Sequence, residues 1–115
     1  MSTTAGDPSS ENADRHFLIL LTMAPGRTLS PEVLESHAAH LSELDRNGRL
    51  VLAGPVPERP GGLIVLRVES LADAKAIADE DPLVRGGYQT YELGTWLISS
   101  RQNGYRLDLQ PERQK

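Results

Sequence analysis

Two residues in this 115-residue chain stand where they could move a proton, and the first is a histidine. His37 and His40 lie in residues 30–48, SPEVLESHAAHLSELDRNG, where Val33, Leu34, Ala38, Leu41 and Leu44 recur at helical spacing and mark an apolar stripe. At about 100° per residue, His37 falls near the middle of that stripe and His40 on its flank. An imidazole aimed at an apolar face is open to two readings. It is either a partly buried side chain bonded to a neighbouring carbonyl, or a general acid or base, because imidazole as a side-chain type exchanges protons near neutrality. The i, i+3 pair has no His-Glu-x-x-His pattern and no second ligand cluster around it, so no metal site is expected.

The second residue is Asp81. In Asp81-Pro82-Leu83-Val84-Arg85-Gly86-Gly87 it has the place of a helix cap, with proline next and glycine at the end. Its functional role would be to accept a hydrogen bond from His37 and fix the imidazole tautomer. Four residues complete a candidate substrate-binding set. His40 is expected at the rim. Gly54 and Pro55 either end a strand or let backbone approach a ligand. Arg85 is either a surface arginine or a group that orients an anionic substrate. Gly61-Gly62 reads as turn chemistry, because no helix start follows it as a phosphate loop requires. The run Asp79, Glu80, Asp81 reads as a solvated helix end, and no serine has a nucleophile-elbow context.

Those side chains need elements to hold them. Ser30 can cap, Pro31 suits the first helical position, Glu32 sits at the positive end of the helix dipole, and Gly48 can close the helix. Before this helix, residues 16–23 (HFLILLTM) form an apolar run of strand length, with Phe17, Ile19, Leu21 and Met23 on one face and Leu18 and Leu20 on the other. Residues 49–53 (RLVLA) predict a second strand stopped by Gly54-Pro55, and residues 63–68 (LIVLRV) a third after a proline- and glycine-rich turn. Ser70 opens a capping-box-like start to a second helix through Leu71, Ala74, Ile77 and Ala78, which Pro82 should stop near Glu80. Residues 88–98 (YQTYELGTWLI) predict the last strand.

The order βαββαβ, with short connections and right-handed crossovers, predicts a ferredoxin-like α+β fold: a four-stranded antiparallel sheet with both helices on one face. Two helices cover one face only, yet the first and third strands are apolar on both. The uncovered face predicts a homodimer packed through its sheets. The polar leader, residues 1–15, is expected to be disordered, the domain to occupy 16–100, and the tail, 101–115, to hold at most a short extra strand through Tyr105, Leu107 and Leu109.

Composition narrows the function further. Hydrophobic residues make up 38% and aromatics 4%, so aliphatic side chains must fill a single modest core. A net charge of −4 with scattered basic residues argues against nucleic acid as a partner. No cysteine is present, which excludes disulfides, thiolate metal sites and a cysteine nucleophile. No run reaches transmembrane length and the N-terminus lacks a signal-peptide core, so a cytoplasmic protein is expected.

Taken together, His37 with Leu41, then Gly48-Arg49-Leu50, then Gly54-Pro55, resemble the YCII-related (YciI-like) family, whose pattern runs His-x-x-x-Leu, Gly-x-Leu, Gly-Pro. The block from Asp81 to Gly87 is similar to the family's second motif. Gly61 to Val65 and Glu69 to Ala74 also fit, and the resemblance covers residues 16–98. It implies a dimeric α+β barrel and a His-Asp site at His37 and Asp81, with the spacing to Gly48 selecting His37 over His40. A dehydrochlorinase of chlorinated aromatic breakdown and the similar muconolactone isomerases imply cofactor-free proton abstraction, elimination or isomerisation on a small organic molecule. The competing expectation is a non-catalytic small-molecule-binding or accessory module of a biosynthetic or regulatory pathway. A haem or oxygen enzyme would rest on analogy of fold alone.

Overall fold

The computed structural model describes residues 14–105. The expected leader up to residue 13, and the tail beyond Tyr105, lie outside them. The chain runs β1 (Arg15–Met23), α1 (Pro31–Arg46), β2 (Leu50–Pro55), β3 (Gly61–Leu66), α2 (Leu71–Glu80), α3 (Pro82–Arg85) and β4 (Gln89–Leu97). The strands form one antiparallel sheet in the order β2-β3-β1-β4. This is the ferredoxin-like α+β arrangement. Arg101–Asn103 form a short 3-10 turn, with Asn103 Nδ2 donating to the Ile98 carbonyl at 2.7 Å.

The alternation expected in β1 is present. Phe17, Ile19 and Leu21 are buried under the helices, and Ile19 faces Ile64 of β3 on one side and Leu93 of β4 on the other. Leu66, Ala74, Ile77, Ala78 and Leu44 close this core. On the reverse face Leu18, Leu20 and Leu63 are half-buried and Val65 is buried, while Leu52 is 65% exposed and Trp96 44%. Among the described residues no helix is long and apolar enough to cross a membrane.

Three features differ from the sequence pattern. β2 does not stop at Ala53 but continues through Gly54 and Pro55, which pair with Leu63 and Gly62. β2 is an edge strand, so a proline lacking an N–H is tolerated there. β3 accordingly begins at Gly61 and ends at Leu66. Gly61 has φ +131°, and a Cβ there would lie 1.9 Å from the Leu21 carbonyl oxygen, so only glycine lets β3 start this close to β1. The stripe on α1 is the third difference. Of its apolar residues only Leu44 is fully buried, and Leu34 is 45% exposed. Its N-terminal half meets a pocket instead of a packed core.

Candidate functional site

The phase of α1 is set at its first turn. Ser30 is extended and its Oγ accepts from the Val33 N–H at 3.2 Å, with Pro31 in the first helical position. Counting from there, Leu34, His37 and Leu41 share one face, and that face looks onto β2 and β3. At the far end Gly48 takes φ +76° and turns the chain into β2.

Asp81 is placed by the other helices. α2 begins at Ser70, whose Oγ accepts from the Asp73 N–H at 3.1 Å, and ends before Pro82. Asp81 is extended at this joint and its Oδ1 accepts from the Leu83 N–H at 2.9 Å, capping α3. The same Oδ1 lies 2.9 Å from His37 Nδ1. Oδ1 already accepts from Leu83, so Nδ1 is the donor in the second bond. Asp81 is 1% exposed, and its Oδ2 has no hydrogen-bond partner. The His37 side chain keeps 18% of its surface open. A buried carboxylate therefore holds an imidazole that faces outward into space.

That space is a pocket of about 280 Å³ between α1 and the β2–β3 edge of the sheet. Leu34, His37 and Leu41 form one wall, and Ala53, Gly54 and Pro55 another. Gly61 and Gly62 bring bare backbone to it, and a Cβ on Gly62 would lie 2.9 Å from the Gly54 carbonyl oxygen. The β1–α1 loop contributes Leu29. This loop is tied to the end of α3 by Arg27. Its Nη1 donates to the Gly87 carbonyl at 3.1 Å and its Nη2 to that of Gly86 at 3.3 Å, while the guanidinium sits 4.2 Å above the Tyr88 ring.

The candidate residues thus divide. His37 and Asp81 are in contact, and Gly54 and Pro55 line the pocket beside His37. His40 and Arg85 are not among its walls. His40 is half-buried with Nε2 lacking a hydrogen-bond partner, and Arg85 is exposed. Asp79 is more than a solvated helix end: it accepts from Lys75 Nζ at 2.8 Å and Tyr91 Oη at 2.6 Å, joining α2 to β4. Those two bonds hold its carboxyl below the ordinary range.

Sequence reasoning overlooked Gln89, Leu83 and Leu29. Gln89 opens β4 opposite Met23, lines the pocket, and is buried. Its signal was parity: Gln89, Tyr91 and Leu93 alternate on the face that packs under the helices, and a polar residue there is out of pattern.

Comparison with known proteins bears on the family and the fold. The YCII-related domain model matches residues 16–97. An uncharacterised protein of Bacillus subtilis, YjpA, is 31% identical over 80 residues, which cover 70% of this chain and 93% of that one. Among solved structures, 5-chloro-2-hydroxyhydroquinone dehydrochlorinase (TftG) of Burkholderia phenoliruptrix, in complex with 2,5-dihydroxybenzoquinone, is similar with a TM-score of 0.56. The two are 21% identical, and the alignment covers 76% of this chain and 97% of that one. At that identity the likeness is one of fold.

Proposed function

The chain belongs to the YCII-related domain family, and on that premise we propose that it is a cofactor-independent lyase or isomerase that moves a proton on a small organic molecule. The observation that carries this reading is the bond from His37 Nδ1 to Asp81 Oδ1 at the wall of an open pocket. With the hydrogen held on Nδ1, Nε2 is the ring nitrogen with a free lone pair, and it is the base. It takes a proton from a carbon of the substrate. The electron pair of that C–H bond then forms a C=C bond and expels a leaving group, or the imidazolium returns the proton to another carbon. Asp81 holds the ring in place and faces the positive charge that forms on it.

General acid-base catalysis of this kind is worth about 10²–10⁴-fold. That suits a carbon acid made acidic by a neighbouring carbonyl or hydroxylated ring, or a substrate with a good leaving group. The dehydrochlorinase of similar fold is named for such an elimination, which supports the reading. Gly54 and Pro55 are the proposed backbone contacts to substrate. A second copy of the chain is proposed to cover the open sheet face, where Leu52 and Trp96 are exposed.

The test starts from the ligand that native mass spectrometry finds on the purified chain. His37→Ala should lower its turnover by about 10²–10⁴-fold and leave the chain folded. Equal turnover by the variant ends the catalytic assignment. A ligand bound by both forms and converted by neither would make this a binding module.

A further inference from the structure

Among the described residues that line the pocket, only His37 and Gln89 have polar side chains, and none has a fixed charge. Gln89 is 5% exposed. Its Nε2 donates to the Met23 thioether at 3.0 Å, a weak acceptor, and its Oε1 is buried with no hydrogen-bond partner. Buried amide oxygens are nearly always paired, so an orphaned one calls for a cause. Three other buried atoms are unpaired, in His16, His40 and Asp81, but none of those residues lines the pocket. Gln89 alone combines an unused acceptor with a place in the pocket wall.

From this we infer that Gln89 orients the substrate: its amide turns away from the weak Met23 bond, which brings the otherwise closed-off Oε1 to the pocket to accept a hydrogen bond from a hydroxyl on a neutral, ring-sized molecule. The inference rests on the pocket being the substrate site, as proposed above. Size sets the ring: an engineered cavity of about 150 Å³ takes up benzene, so about 280 Å³ holds one substituted ring. Charge sets neutrality, because a carboxylate in this pocket would lose its hydration and meet no lysine or arginine. Geometry sets the role. His37 comes from α1 and Gln89 from the start of β4, so a ring held at both has one orientation relative to the base.

The test uses the full chain and three probes of one size: phenol, toluene and benzoate, titrated by NMR. The wild type should bind phenol roughly tenfold more tightly than toluene, the ratio that one net hydrogen bond supplies, and more tightly than benzoate. Phenol, and not toluene, should shift the Gln89 side-chain NH₂ signals. In Gln89→Met, which keeps the length of the side chain and removes the amide, phenol should lose its advantage while toluene binds as before. Equal affinity of the wild type for phenol and toluene overturns the inference, as does phenol preference that survives in Gln89→Met. Should that variant fail to fold, the wild-type affinities and the Gln89 NH₂ shifts decide alone. The outcome is separable from the fate of the catalytic reading. Unchanged turnover in His37→Ala would leave phenol selectivity intact, and failed selectivity would leave the effect of His37→Ala on turnover intact.

Discussion

Replacing Asp81 should separate its acceptor geometry from its charge. One oxygen, Oδ1, serves two donors: the Leu83 N–H and His37 Nδ1, each at 2.9 Å. Asp81→Ala removes a helix cap, worth about 1 kcal/mol, and leaves a partly buried imidazole N–H unpaired, worth about 1–3 kcal/mol. Loss of the unpartnered Oδ2 offsets part of this. The net expectation is a destabilisation of about 2–3 kcal/mol, and at 1% exposure no solvent screening reduces it. With a urea m-value of about 1 kcal/mol/M for a domain of this size, the midpoint falls by about 2–3 M. Asp81→Asn keeps an oxygen where Oδ1 stands, so both bonds survive and the cost stays under about 1 kcal/mol. It removes the charge facing the imidazolium, so turnover should fall while the fold holds. Urea unfolding of the three proteins, with amide exchange at Leu83 as a local reporter, measures this. Equal midpoints for the Ala and Asn variants would refute the reasoning, because the shared oxygen would then have no special part.

Four further outcomes follow from the same structure. Gly61→Ala forces a side chain onto φ +131° and against the Leu21 carbonyl, and should cost at least about 2 kcal/mol, or roughly 8 °C or more in Tm. Gly54→Ala, with nothing within 4 Å of its Cβ, should stay within about 0.5 kcal/mol of the wild type, and equal melting temperatures for the Gly54 and Gly61 variants would contradict the geometry. Burial, and then nearby Arg67, push the His16 imidazole below its ordinary 6.5 against the opposing pull of Asp14. The unfolded chain therefore binds the proton more readily, so stability is full above about 6.5 and declines as pH falls from there to the lower folded value. His16→Gln should flatten that decline in urea midpoints taken at pH 8 and pH 5, and an unchanged slope would remove His16 as its source. Leu52→Glu places a charge on the uncovered face and should convert a dimer to monomer in sedimentation, whereas a wild-type monomer at micromolar concentration would dismiss the paired-sheet proposal.

Local features were legible in the chain before its coordinates. Ser30, Pro31 and Gly48 bound α1, Ser70 opens α2 and Asp81-Pro82 opens α3, because caps act on their own first turn. The contact of His37 with Asp81 was legible as a possibility only, since it joins residues 44 positions apart. What escaped was tertiary. Periodicity tells which face of α1 is apolar but not whether that face meets a core or a pocket, so Leu34 was expected inside and is 45% exposed. Gly54-Pro55 and Gly61-Gly62 have the composition of breaks, yet cross-strand pairing at the sheet edge absorbs them into β2 and β3. The parity of Gln89 with Tyr91 and Leu93 needed the register of β4 against β1 to show which face it lay on, and the Arg27 bond, spanning 60 positions, leaves no local trace.

β2, one of the two edge strands, has a further consequence for the life of this molecule in a crowded solution. A row of free amides along a flat border is a template on which another chain can zip, and repeated zipping makes fibrils. Here the ladder slips between Leu50 and Leu52, and at the opposite end Pro55 offers no hydrogen to a newcomer. Growth sideways past that border is thereby spoiled at both ends, while the greasy flat surface beside it stays available. On this side of the sheet, contact with another chain is thus left to the exposed face and not to the strand border.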